Sequence, residues 1–151
     1  MDWGLIGVGA ALALAAVGSA LGTGTAGMAA VGAWKKCFVQ NRPAPFILVA
    51  FVGFPLSQTI YGFLLMQRLA QSAALGDQGA DPGYILGAGI LGGLAIGMSA
   101  WFQGRAAAAA SDSMGETGKG TSNYISVLGI IETVAIFVLV FLLIITGNFE
   151  G

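Results

Sequence analysis

Residues 120–149, GTSNYISVLGIIETVAIFVLVFLLIITGNF, decide the fold: thirty residues carry one charged side chain, Glu132, with apolar sequence on both sides of it. A helix needs about 20 such residues to cross the hydrocarbon core of a bilayer. Working outward, three more stretches pass the same test without any charge. They are 32 residues between Asp2 and Lys35, 25 between Arg42 and Arg68, and 23 between Asp81 and Arg105. Backbone groups in lipid must bond internally, and there is neither strand-like alternation nor enough chain for a barrel. The sequence therefore predicts an all-α membrane protein with four transmembrane helices, near 4–33, 45–69, 83–110 and 123–146.

Composition agrees and narrows the function. Only 9% of the 151 residues are charged, against about 25% in a soluble domain. A net charge of -1 without a basic cluster excludes nucleic acid as a partner. With no histidine and one cysteine, Cys37, the chain has no Cys/His metal site, no Ser-His triad and no internal disulfide. No catalytic chemistry is encoded in this chain. Gly22-Thr23-Gly24-Thr25-Ala26-Gly27 fits the dinucleotide pattern, but it sits inside an apolar span and the next acid is Asp77, so nucleotide binding is set aside.

Basic residues in the short connections orient the chain. Lys35, Lys36 and Arg42 flank the first connection and Arg105 and Lys119 the third, leaving Arg68 alone at the second. The positive-inside rule makes the first and third connections cytoplasmic. Both termini, with Asp2 and Glu150, then face the opposite side of a multi-pass protein of the cell (inner) membrane. No basic residue precedes the N-terminal apolar run, which is too long for a signal peptide and is expected to be retained. The connections are expected over 34–45 and 111–123, with Cys37 exposed in the first.

The chain also reads as a duplication. Ser19-Ala20-Leu21-Gly22-Thr23-Gly24 aligns with Ser99-Ala100-Trp101-Phe102-Gln103-Gly104, and Gln58-Thr59-Ile60 with Glu132-Thr133-Val134. A single membrane domain, 1–151, thus divides into a first helical hairpin, 1–72, and a second, 83–151, which carries the carboxylate. Counted from the bends, Thr23 is expected level with Gln58, and Gln103 level with Glu132. The first and third helices are rich in small residues at one-turn spacing, such as Gly18 with Gly22 and Gly89 with Gly93 and Gly97, the pattern for close helix approach. The other two helices are bulky (Phe46, Phe51, Phe63; Phe137, Phe141). Narrow and wide walls alternating in this way suit a ring.

Glu132 is the one acid deep within a span, and a buried ionisable group there is a functional candidate because its charge is costly in lipid. Phe54, Ser57, Gln58 and Tyr61 recur every three or four residues and share one helix face. Pro55 cannot donate an amide hydrogen, so a kink is expected and nearby carbonyls are freed. A hydroxyl, two amide oxygens including Gln103, a phenol and the Phe54 carbonyl then surround one fixed negative charge. A proton needs only the carboxyl; a dehydrated cation such as Na⁺ needs several oxygens.

Three of these segments carry a resemblance. Pro55-Leu56-Ser57-Gln58-Thr59-Ile60-Tyr61-Gly62-Phe63, Phe102-Gln103-Gly104-Arg105-Ala106-Ala107-Ala108 and Ile131-Glu132-Thr133 resemble the ion-site segments of the K subunit of bacterial sodium-transporting V-type ATPases, the proteolipid of the rotor ring. The resemblance implies that Glu132 is the essential ion-carrying carboxylate. It further implies that Ser57, Gln58, Gln103 and the Phe54 carbonyl coordinate Na⁺, and that Tyr61 hydrogen-bonds Glu132. Three positions depart: Ser57 stands where the family has threonine, Phe54 where it has leucine, and Val134 where it has tyrosine. The implied partners are further copies forming a homo-oligomeric ring, a stator membrane subunit, central-stalk subunits at the cytoplasmic loops, and lipid. Three alternatives stand beside it: a ring of the same architecture carrying H⁺ only, a small four-helix exporter of cationic drugs, and an inert membrane scaffold.

Overall fold

The computed structural model describes residues 3–149; Asp2 and Glu150, used above for orientation, lie outside them. Every regular element among the described residues is helical: α1 Gly4–Val39, α2 Leu48–Gly53, α3 Ser57–Ala74, α4 Pro82–Thr117 and α5 Thr121–Gly147. A 3-10 turn at Phe54–Leu56 joins α2 to α3 into one span. This turn is the break expected at Pro55, whose ring removes a helical hydrogen bond. Four helices are thus long and apolar enough to cross a membrane, and the chain is an all-α, multi-pass membrane protein.

The helices outrun the apolar stretches. At 1.5 Å per residue, the 36 residues of α1 and of α4 reach about 54 Å, against roughly 30 Å of hydrocarbon. Lys35 and Lys36 end the apolar run but are good helix formers, as are Ala106–Ala110 on α4. The connections expected at 34–45 and 111–123 therefore shrink to residues 40–47 and 118–120. Cys37, expected to be exposed, lies on α1 at 2% exposure, with its thiol 3.5 Å from the Gly115 carbonyl.

Turn chemistry sets the real ends. Gly118 (φ 65°) and Gly120 (φ 93°) adopt the left-handed conformation that lets the chain reverse within three residues. The Gly118 amide returns to the Met114 carbonyl at 2.9 Å. At the other end of α4, Asp81 accepts from the Gly83 amide at 2.7 Å, with Pro82 in the first helical position. Arg42 donates to the carbonyls of Gly115 and Glu116 at 2.8 and 2.9 Å, supplying the last turn of α4 with partners it would otherwise lack. Lys36 and Glu116 form an ion pair beside it.

The seam between α1 and α4 holds the hairpins together. The two helices run parallel, and glycines bring their backbones into contact. A Cβ on Gly18 would overlap the Gly97 backbone, one on Gly89 the Gly7 carbonyl, and one on Gly104 the Gly22 backbone. Gly62 of α3 approaches Ala15 and Ala11 equally closely. The bulkier helices, α2–α3 and α5, lie side by side as a second layer. Small residues on one layer and large ones on the other give the two walls read from the sequence.

Two apolar clusters result, one above the other. Ala26, Ala30, Leu48, Phe51, Ala107 and Leu128 make one; Ala11, Ala15, Leu65, Leu69, Ile96 and Ala135 belong to the other. On every helix the residues between them include the polar ones: Ser19 and Thr23, Ser57 and Gln58, Ser99 and Gln103, and Glu132. The fold sandwiches a polar belt between two greasy plugs.

Candidate functional site

The belt contains two hydrogen-bonded groups. Glu132, half-buried on α5, accepts through Oε1 from the Tyr61 hydroxyl at 2.7 Å. Alongside it runs a one-way relay. Gln103 Nε2 donates to the Leu128 carbonyl at 2.9 Å; Gln58 Nε2 donates to Gln103 Oε1 at 2.8 Å. Ser57 Oγ then lies 3.1 Å from Gln58 Oε1 and 2.9 Å from the Phe54 carbonyl. Both glutamines are fully buried, where an unpaired amide would be costly.

The direction of this relay is fixed by its end. A backbone carbonyl can only accept, so Gln103 must turn Nε2 toward Leu128 and Oε1 toward Gln58. Gln58 must in turn present Nε2, which leaves its own oxygen facing Ser57. In the 3-10 turn the Phe54 carbonyl accepts the Ser57 amide and keeps its second lone pair toward the same place. Three oxygens therefore converge where α2 meets α3: Phe54 O, Ser57 Oγ and Gln58 Oε1. They could hold a small hard cation once the Ser57 hydrogen turns aside.

The six residues singled out by sequence all lie in this belt. Phe54, Ser57 and Gln58 form one oxygen cluster, Gln103 adjoins it through Gln58, and Tyr61 meets Glu132. The level arithmetic, however, is off by one helical turn. Gln103 faces Leu128 rather than Glu132, which stands four residues further along α5. The bend count assumed that both arms start level at the turn, whereas α4 runs on through Thr117, past the apolar stretch. The same offset occurs in the first hairpin, where Gly22 rather than Ala26, the residue the bend count puts level with it, meets Pro55.

Ser99 was legible only as a repeat marker. It is buried and donates to the Ile131 carbonyl at 2.9 Å, immediately before Glu132. Its alignment with Ser19 carried no hint of that bond, which depends on how α4 meets α5. The described residues contain no group of three or more His, Cys, Asp or Glu side chains placed to hold a metal. Any cation here would have to rely on neutral oxygens around a single carboxylate.

Two comparisons with known proteins bear on this arrangement. Residues 86–145 match the family of the C subunit of ATP synthase, a match that falls on the hairpin bearing Glu132. Over 98% of its length the chain is 33% identical to the A-type ATP synthase subunit K of Methanocaldococcus jannaschii. It spans 64% of the length of that relative.

Proposed function

From the match over the second hairpin to the C subunit of ATP synthase and the similarity to an archaeal subunit K, we propose that this chain is the ring-forming subunit of a rotary ATPase, carrying Na⁺ on Glu132. The observation that carries the reading is the belt itself: one carboxylate at mid-membrane, capped by Tyr61, beside a cluster of neutral oxygens oriented by a buried relay. Phe54, Ser57, Gln58 and Gln103 supply the oxygens and Tyr61 holds the carboxyl. Copies of the chain close into a ring, with α1 and α4 inside and α2–α3 and α5 outside.

The work of such a part is electrostatic. A Glu132 neutralised by its ion faces lipid at low cost, while a bare carboxylate does not, so occupancy gates rotation. A stator membrane subunit bearing an arginine releases the ion to one side and allows reloading from the other. Each charge moved across about 100 mV is worth roughly 2.3 kcal/mol, so many sites act per turn. Gln58, the repeat counterpart of Glu132, is neutral, which gives one ion per four helices. The stalk docks on the cytoplasmic connections at 40–47 and 118–120, the ring sits in the cell membrane, and both termini face away from the cytoplasm.

A second reading is that the ring carries only protons. One observation favours it: Glu132 is already bonded by Tyr61 while Gln58 and Gln103 are paired in a relay that ends on the Leu128 carbonyl. Labelling of Glu132 by a hydrophobic carbodiimide separates the two. Protection by millimolar Na⁺ is the expected result; protection only by raised pH assigns the proton. A native mass of the purified assembly tests the ring, since a small oligomer would instead fit an exporter of cationic drugs.

A further inference from the structure

We propose that Ser99 is a positioning residue for Glu132, fixing where the carboxylate stands on α5 without touching it. This rests on the ion-carrying reading of Glu132. Ser99 Oγ donates to the Ile131 carbonyl, which belongs to the same peptide group as the Glu132 amide. Within α5 that amide points to the carbonyl four residues back, Leu128, and Leu128 is the acceptor of Gln103. Two side chains one turn apart on α4 thus hold the peptide group at its oxygen and its amide's acceptor.

Packing alone leaves α5 loose at this height. Only Leu128, Ala135, Leu139 and Thr146 are buried along its 27 residues. Beside Leu128, the small side chains of Ala106, Ala109 and Ala110 leave an open groove against Tyr124, Val127 and Leu128. The α4 side chains facing α5 here are alanines, so α5 is held by Leu128 and by Tyr124 against Phe51 with little to wedge it against α4 itself. The polar ties resist rotation and sliding of α5, and either motion would carry Glu132 away from the Tyr61 hydroxyl. The other α4–α5 side-chain ties lie one turn or more beyond Leu128 or at the opposite end, at Ser113 with Tyr124, Met114 with Thr121 and Tyr84 with Thr146.

Loss of the Ser99 hydroxyl leaves the Ile131 carbonyl its helical partner, so folding should change little while placement changes more. The test uses the full chain, purified as its assembly in detergent, in the variants Ser99→Ala, Ser99→Thr and Tyr84→Phe. Two quantities are read: the Na⁺ concentration that half-protects Glu132 from a hydrophobic carbodiimide, and the infrared carboxyl band lost in Glu132→Gln. Ser99→Ala is expected to need about tenfold more Na⁺, the lower end of what outer partners contribute to a metal site, and to shift the band. Ser99→Thr restores both, and Tyr84→Phe matches the parent.

The proposal is overturned if Ser99→Ala leaves both quantities unchanged, or if Tyr84→Phe moves them equally, which would make the tie general stiffening. Should Na⁺ protect not even the parent, the sodium reading fails. The band still decides here: a shift in Ser99→Ala supports positioning, and an unmoved band refutes it. If Ser99→Ala does not assemble, Ser99→Cys keeps the volume with a weaker donor and is read in the same way.

Discussion

In the second hairpin, Ser99 and Gln103 reach from α4 to carbonyls of α5; at the equivalent positions of the first hairpin, the buried hydroxyls of Ser19 and Thr23 find no hydrogen-bond partner. Opposite them stand Glu132 in one hairpin and Gln58 in the other. The same backbone plan is used twice, yet only one copy holds an acid. The other copy has become a donor, its neutral amide completing the relay to Gln103. A second carboxylate at position 58 would place like charges in one low-dielectric belt, where they disfavour each other's ionisation.

The contrast can be broken outright at the seam. Gly97→Val would drive side-chain atoms into the backbone of α1 around Leu14, and a backbone yields less readily than a side chain. A cost of about 3 kcal/mol or more is expected, seen as loss of the proposed ring in a native mass measurement. Gly129→Ala, where a Cβ meets nothing within 4 Å, should leave the assembly's yield unchanged.

The chemical difference is tested next. Glu132→Gln should assemble normally and lose ion-coupled transport to background. Exchanging the pair, Gln58→Glu with Glu132→Gln, should not restore it. Position 58 is fully buried and faces an oxygen of Gln103, so a carboxylate there either meets like partial charge or strips Leu128 of its donor. Recovery of transport in the exchanged chain would mean that the two hairpins are chemically interchangeable after all.

Smaller effects sharpen the comparison. Tyr61→Phe removes the hydroxyl from Glu132; a bond to a charged group contributes about 1.5 kcal/mol, so half-protection from the carbodiimide should need roughly tenfold more Na⁺. Gln103→Leu leaves the Gln58 amide unpaired and should lower thermal stability by about 1–3 kcal/mol. Thr23→Val, at the matching place in the first hairpin, deletes a hydroxyl that bonds to nothing. Its effect on the same melting curve should stay within about 0.5 kcal/mol, and a loss as large as that of Gln103→Leu would erase the asymmetry.

Much of this was legible from spacing. The charge-free runs placed four spans, the glycines at one-turn intervals marked the seam, and Pro55 marked the break at 54–56. Phe54, Ser57, Gln58 and Tyr61 could be gathered on one face because helix geometry is local. Helix ends were not legible from apolar runs, because Lys35 and Lys36 leave the hydrocarbon without leaving the helix. The buried position of Cys37 went unseen for the same reason: the stretch read as a loop is a helix packed against Gly115.

By itself, then, the sequence determined that the chain has four helices long and apolar enough to cross a membrane and that one acid lies within the last of them. Those properties follow from hydropathy and periodicity, which depend on each residue and its near neighbours. The tertiary structure alone decided that Gln103 faces Leu128, that the relay points toward Ser57, and that Ser99 grips the peptide before Glu132. Such facts depend on how far one helix slides along another. That distance is set by backbone contact at the glycine seam and by turn geometry at Gly118 and Gly120, not by the pattern of any one helix.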